Sequence, residues 1–237
     1  MHRSFIKTIT SATVMLLVLL SVARQSPAQN ANSSYPTMAP LDQYLMPDRN
    51  AEIALARTAA PKSISDDATV VVLGRHGYET AVTGKNGFVC IVERAWMSPF
   101  DHPEFWNPKN RSPICYNPAA VRSILPYTFK RTEFVLAGLS NPEMLARVKA
   151  AVANKELPTP DPGAMSYMMS KEQYLNDAVV HWHPHLMFHL PKTDGESWGA
   201  NLSGSPVVFD PRELPEPETI FFIPVGTWSD GTPAPAM

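Results

Sequence analysis

Two spacings of apolar residues run along this chain and divide it into helical and extended stretches. Behind a cap at Asp48 or Asn50, Ala51-Glu52-Ile53-Ala54-Leu55-Ala56 consists of good helix formers and Pro61 stands just past the end, which predicts a short helix over 48–60. Residues 69–73 and 88–92 are strongly β-branched runs of strand length. Asn86-Gly87 ahead of the second predicts a hairpin turn. The middle of the chain reads as helical. Asn117 caps a segment with Pro118 in its first turn, Pro126 interrupts it, and 130–139 resumes. Ser140-Asn141-Pro142-Glu143 then opens a helix carrying Met144, Leu145, Val148 and Val152 at three- and four-residue spacings, ending near Asn154. Strands return at 166–169, 181–190, 207–209 and 219–225. Strands, then helices, then strands predict an α+β domain: an antiparallel or mixed sheet with helices packed on one side and proline-rich loops.

The first residues change what compartment is expected. Arg3 and Lys7 precede an apolar run over 12–23, and Ser26-Pro27-Ala28 follows, the order of a secretory signal peptide cut after Ala28. The run is shorter than the roughly 20 residues that span a bilayer, and no second hydrophobic span follows, so no integral membrane segment is expected after cleavage. The expected product is exported, periplasmic or extracellular. Its first part, 29–40, is rich in Ser, Asn and Pro and reads as disordered, and 41–237 reads as one globular domain. Without Arg3, Lys7 and Arg24, 17 basic residues face 22 acidic ones. That balance, with no dense Lys/Arg cluster, argues against nucleic acid and anionic membrane surfaces as partners. Proline is abundant, 24 of 237 residues, so long braced loops are expected.

Export permits disulfides, and Cys90 and Cys115 are an even pair. A bond between them would close a loop of about 25 residues, worth on the order of 3 kcal/mol. It would tie down a stretch of prolines and aromatics, 98–118, that has little periodic pattern of its own.

The densest chemistry is HWHPHLMFH, 181–189, where four of the seven histidines fall on odd positions. In a strand, His181, His183, His185 and His189 would face one way with Met187, and Trp182, Pro184, Leu186 and Phe188 would face the core. Pro184 removes a ladder donor and predicts an edge or a bulge. Histidines two apart lie about 6.6 Å apart at Cα, close enough to share an ion held at ~2.1 Å. A divalent transition metal (Zn, Cu or Fe) is therefore the expected cofactor, with His183 and His185 the preferred pair and Asp194, Glu196, His102 or His76 completing the set. Met187 leaves copper open. The alternative is a histidine-rich face making ordinary hydrogen bonds.

Three other stretches carry candidate chemistry. Val70-Val71-Val72-Leu73-Gly74-Arg75-His76-Gly77 resembles the strand and Arg-His-Gly opening of the histidine phosphatase superfamily. The resemblance covers about ten residues. It implies an α/β fold with a helix after the motif, His76 taking a phosphoryl group and Arg75 gripping it. Asp101, His102 and Glu104 crowd a loop that would serve acid–base work or form an aromatic-braced lid. Residues 199–206 form a flexible loop with Ser203 and Ser205, without the lysine of a phosphate loop or a Gly-x-Ser-x-Gly elbow, and Asn201-Leu202-Ser203 fits a glycosylation triplet. The expected function is metal binding at the histidine strand, with metal-assisted hydrolase or oxidoreductase chemistry if the site is catalytic, and the expected partner is a small molecule or metal ion. A non-catalytic ligand-binding or structural module of the envelope is the alternative, and phosphatase-like chemistry at Arg75 and His76 the second.

Overall fold

A computed structural model describes residues 34–235, so the expected signal peptide lies outside the described residues. Eight strands form one mixed sheet: β1 (Thr69–Gly74), β2 (Gly77–Val82), β3 (Val89–Glu93), β4 (Ser112–Tyr116), β5 (Met165–Met168), β6 (His185–Pro191), β7 (Val208–Phe209) and β8 (Glu218–Pro224). Their order is β2-β1-β3-β4-β5-β6-β8-β7, antiparallel throughout except for β1 against β3. Among the described residues five helices accompany them: α1 (Arg49–Arg57), α2 (Lys62–Ser65), α3 (Pro118–Ser123), α4 (Leu125–Leu136) and α5 (Asn141–Ala153). The caps are those the sequence predicts. Asp48 accepts from the Asn50 amide, Asn117 from the Ala120 amide, and Ser140 and Glu143 form a capping box. Among the described residues no helix is long and apolar enough to cross a membrane.

The α+β class holds, but helices cover both faces of the sheet instead of one. Val70, Val72, Cys90, Val92 and Cys115 pack with Ala56 and Ala59 around α1. Val71, Ile91, Ile114, Met168 and Met187 pack on the other face with Ile124, Leu125 and Tyr127. The cause is legible in β1 and β3, which are apolar at nearly every position and so need cover on both sides.

Two more expectations change. Asn86-Gly87 does not close a hairpin. β2 returns on β1 through Arg75 and His76, and the chain then crosses over to set β3 parallel on the far side of β1, Thr69 opposite Val89. Asn86 holds this crossing, donating to the Ile64 carbonyl and accepting from the Phe88 amide. The crossing passes so near β1 that a Cβ on Gly84 would lie 2.2 Å from the Thr69 nitrogen. Further on, 112–116 is a strand rather than braced loop. Its five residues are all buried, and Cys115 stands directly opposite Cys90, joined to it by the disulfide. Tyr35, Met38 and Ala39, in the stretch expected to be disordered, pack against the cluster of Tyr44, Trp96, Phe105 and Trp106.

Candidate functional site

Between α4 and the sheet face it covers lies a cavity of about 630 Å³. Glu93 at the end of β3, Tyr116 of β4, Met168 of β5, His185, Met187 and His189 of β6, and Glu218 of β8 form its strand wall. Thr128 and Arg131 of α4 face them, and His102 and the segment from Phe209 to Glu216 complete the enclosure.

The histidine segment supplies part of this wall, with its faces reversed from expectation. β6 begins at His185, and His185, Met187 and His189 are buried, while Leu186 and Phe188 are half-buried on the opposite face. The polar face turns inward onto the cavity that α4 covers, where Ser166 and Glu218 engage His189 on both sides. Pro184 marks neither edge nor bulge. It stands just ahead of an interior strand, where a missing amide costs nothing, and its carbonyl accepts from the Val225 amide.

The four histidines do not meet. His181 is exposed and lies edge-on to Trp228. His183 contributes its carbonyl, which accepts from His185 Nδ1 at 2.7 Å. His185 is 3 % exposed, packed against Trp182 and Phe222. Its Nε2 makes no hydrogen bond among the described residues, and burial pulls its pKa down to about 4. His189 is engaged on both sides, Nε2 with Ser166 Oγ at 3.0 Å and Nδ1 with Glu218 Oε2 at 2.8 Å. Among the described residues no group of three or more His, Cys, Asp or Glu side chains is arranged to hold a metal ion. Of the further ligands the sequence offers, Asp194 and Glu196 are exposed away from the cavity, and His102 alone lines it.

Ser166, His189 and Glu218 have the order of nucleophile, base and orienting acid. Ser166, however, has no exposed surface and does not line the cavity, so its hydroxyl is closed to any substrate. The three side chains link β5, β6 and β8 as a satisfied buried network.

Among the described residues four carboxylates are buried, and three have a basic partner: Glu52 with Arg94, Glu216 with Arg131 and Glu218 with His189. Glu93 has none. Tyr116 and Thr128 both donate to its Oε1, while Oε2 accepts from none of the described residues. Burial raises its pKa, and the Tyr116 and Thr128 hydrogen bonds work against that rise. Glu93, Arg131, Glu216 and Glu218 are the site residues the sequence reading misses. Their signals are weak: an acid closing an apolar strand, a basic residue three places after Thr128, and two acids among the prolines of 214–218.

The remaining motifs lie elsewhere. Arg75 and His76 are the exposed tip of the β1–β2 hairpin, Arg75 paired with Asp42 at 2.7 Å. A strand follows them where the phosphatase-like opening requires a helix. Asp101 takes Arg212, and Glu104 accepts from the Asp177 amide, so that loop is held as a structural brace from which His102 reaches the cavity. The Asn201 side chain clasps the Phe209 backbone, donating to its carbonyl and accepting from its amide, which occupies the amide of the glycosylation triplet. Comparison of the chain with protein-family models, with curated proteins and with solved structures finds no match.

Proposed function

We propose that the protein is an exported ligand-binding protein whose cavity takes a small organic molecule, apolar over most of its length. The cavity volume falls within the roughly 300–1,000 Å³ of small-molecule sites, which combine apolar walls with a few placed polar groups. One observation carries the reading: Glu93 and His185 line this cavity, and among the described residues nothing hydrogen-bonds Glu93 Oε2 or His185 Nε2. Both side chains are buried, so a ligand in the cavity can meet these two atoms with hydrogen bonds shielded from bulk water. The disulfide supports export, since such bonds persist in oxidising compartments.

The test is native mass spectrometry of the mature protein from an oxidised, exported preparation without a histidine tag, with metal content measured on the same sample. The expected result is an organic adduct of a few hundred daltons, on the order of a drug-sized ligand, lost on solvent extraction and restoring thermal stability when returned. A near-stoichiometric metal that vanishes in His185→Ala, with no organic adduct, would overturn the reading.

A further inference from the structure

The two open atoms differ in hydrogen-bonding character. His185 Nδ1 faces the His183 carbonyl at 2.7 Å. A carbonyl only accepts, so the ring proton sits on Nδ1 and Nε2 presents a bare lone pair. At Glu93, Oε1 already receives the Tyr116 and Thr128 hydroxyls, so a proton on this carboxyl resides on Oε2. Burial disfavours its ionised form most strongly, and the hydrogen bonds from Tyr116 and Thr128, then Arg131 from α4 and the His189 ring from β6, work against that. Arg131 is held by Glu216 through two bonds and His189 by Glu218, so neither side chain is a free counter-ion for Glu93.

Distance sets the shape of the occupant. β3 and β6 are separated by β4 and β5, three strand spacings or about 14 Å. Ile114 and Met168 line the cavity from those two intervening strands, so apolar side chains stand between the two poles. Resting on the ligand-binding reading above, we propose that the occupant is an uncharged, elongated molecule that places an acceptor such as a carbonyl oxygen against Glu93 and a donor such as a hydroxyl against His185. An ammonium end would need Glu93 ionised, and a carboxylate end would face an acceptor at either pole.

Three probes of one chain length separate the possibilities: methyl 12-hydroxydodecanoate, 12-hydroxydodecanoate and 12-hydroxydodecylammonium, each titrated into the extracted wild-type protein between pH 5 and 8. The ester is expected to bind at least about tenfold tighter than either ion, a difference of roughly 1.4 kcal/mol, and to weaken as pH rises. Glu93→Gln, which keeps a donor and cannot ionise, is expected to bind the ester without that pH dependence, and Glu93→Leu to lose about tenfold. Tightest binding of the ammonium, or ester binding that strengthens with pH, would overturn the proposal. An organic adduct that co-purifies while all three probes fail would overturn this ligand class and leave the binding reading standing; failure of the probes with no adduct would overturn both.

Discussion

Glu218 reaches His189 diagonally across the β6–β8 pair, Oε2 to Nδ1 at 2.8 Å, although the residue directly opposite His189 is Ile220. Diagonal neighbours on one sheet face are within reach of long side chains, and this one fixes the imidazole so that its far nitrogen meets Ser166. The geometry is that of a catalytic triad and the burial is that of a core network, and burial decides. A fluorophosphonate probe is expected to leave Ser166 unlabelled. Ser166→Ala is expected to cost about 1 kcal/mol of stability, the worth of one hydrogen bond, measured by urea unfolding. Covalent labelling at Ser166 would sink this account.

Arg131 grips Glu216 with Nε and Nη2, at 2.7 and 2.9 Å, and also donates to the Trp96 and Ser98 carbonyls. Both charges are buried, and the pair fastens α4 to the segment that closes the cavity. Glu216→Ala leaves a buried guanidinium without its anion and is expected to cost about 3–5 kcal/mol. Replacing both residues by apolar ones, Arg131→Met with Glu216→Leu, is expected to cost less than the single change. A double variant less stable than Glu216→Ala would contradict this reading of the pair.

Glu93 and His185 couple stability to pH with opposite signs. Burial raises Glu93 above its ordinary 4.5, so over the window above 4.5 the unfolded chain releases a proton that the folded protein keeps, and stability falls as pH rises. His185 is depressed from 6.5 to about 4, so between those values the unfolded chain takes up a proton that the folded protein refuses, and stability falls as pH drops. Urea unfolding at several values from pH 4 to 7.5 separates the two. Glu93→Gln is expected to remove the loss toward high pH, and His185→Phe the loss between 6.5 and 4. Variants whose curves keep the wild-type slopes would show that these groups do not titrate as described.

Local signals in the sequence translate into structure where the cause is local. Asp48, Asn117 and the Ser140/Glu143 box start their helices as their chemistry dictates, because a cap needs only the turn beside it. The α+β class was legible from the order of those local patterns, and the Cys90–Cys115 pair from the presence of just two cysteines in a chain expected to be exported. What depends on distant partners was not. Asn86-Gly87 carries a hairpin signature, yet β3 joins β1 in parallel because the crossing loop docks on Ile64 and Asp67. The alternation in 185–190 was readable, but which face is inside depends on α4, about fifty residues earlier. Glu93 looks like the polar end of an apolar strand until Tyr116 and Thr128 are seen to enclose it.

Cys90 and Cys115 face each other across β3 and β4 with their Cα atoms 4.0 Å apart, on the sheet face covered by α1. The same two strands present Glu93 and Tyr116 to the cavity on the other face, so the disulfide stiffens the wall that holds the proposed acid. Backbone pairing and packing against Ala56 also hold this register, so the strands stay paired when the bond is removed. Replacing both cysteines by alanine is expected to leave the fold intact and to cost about 3 kcal/mol, the loop-closure value for 25 residues. Urea unfolding of oxidised, reduced and double-alanine protein measures this, with intact mass confirming the oxidation state. Equal stability of the three would mean that the bond constrains nothing the strands do not already fix.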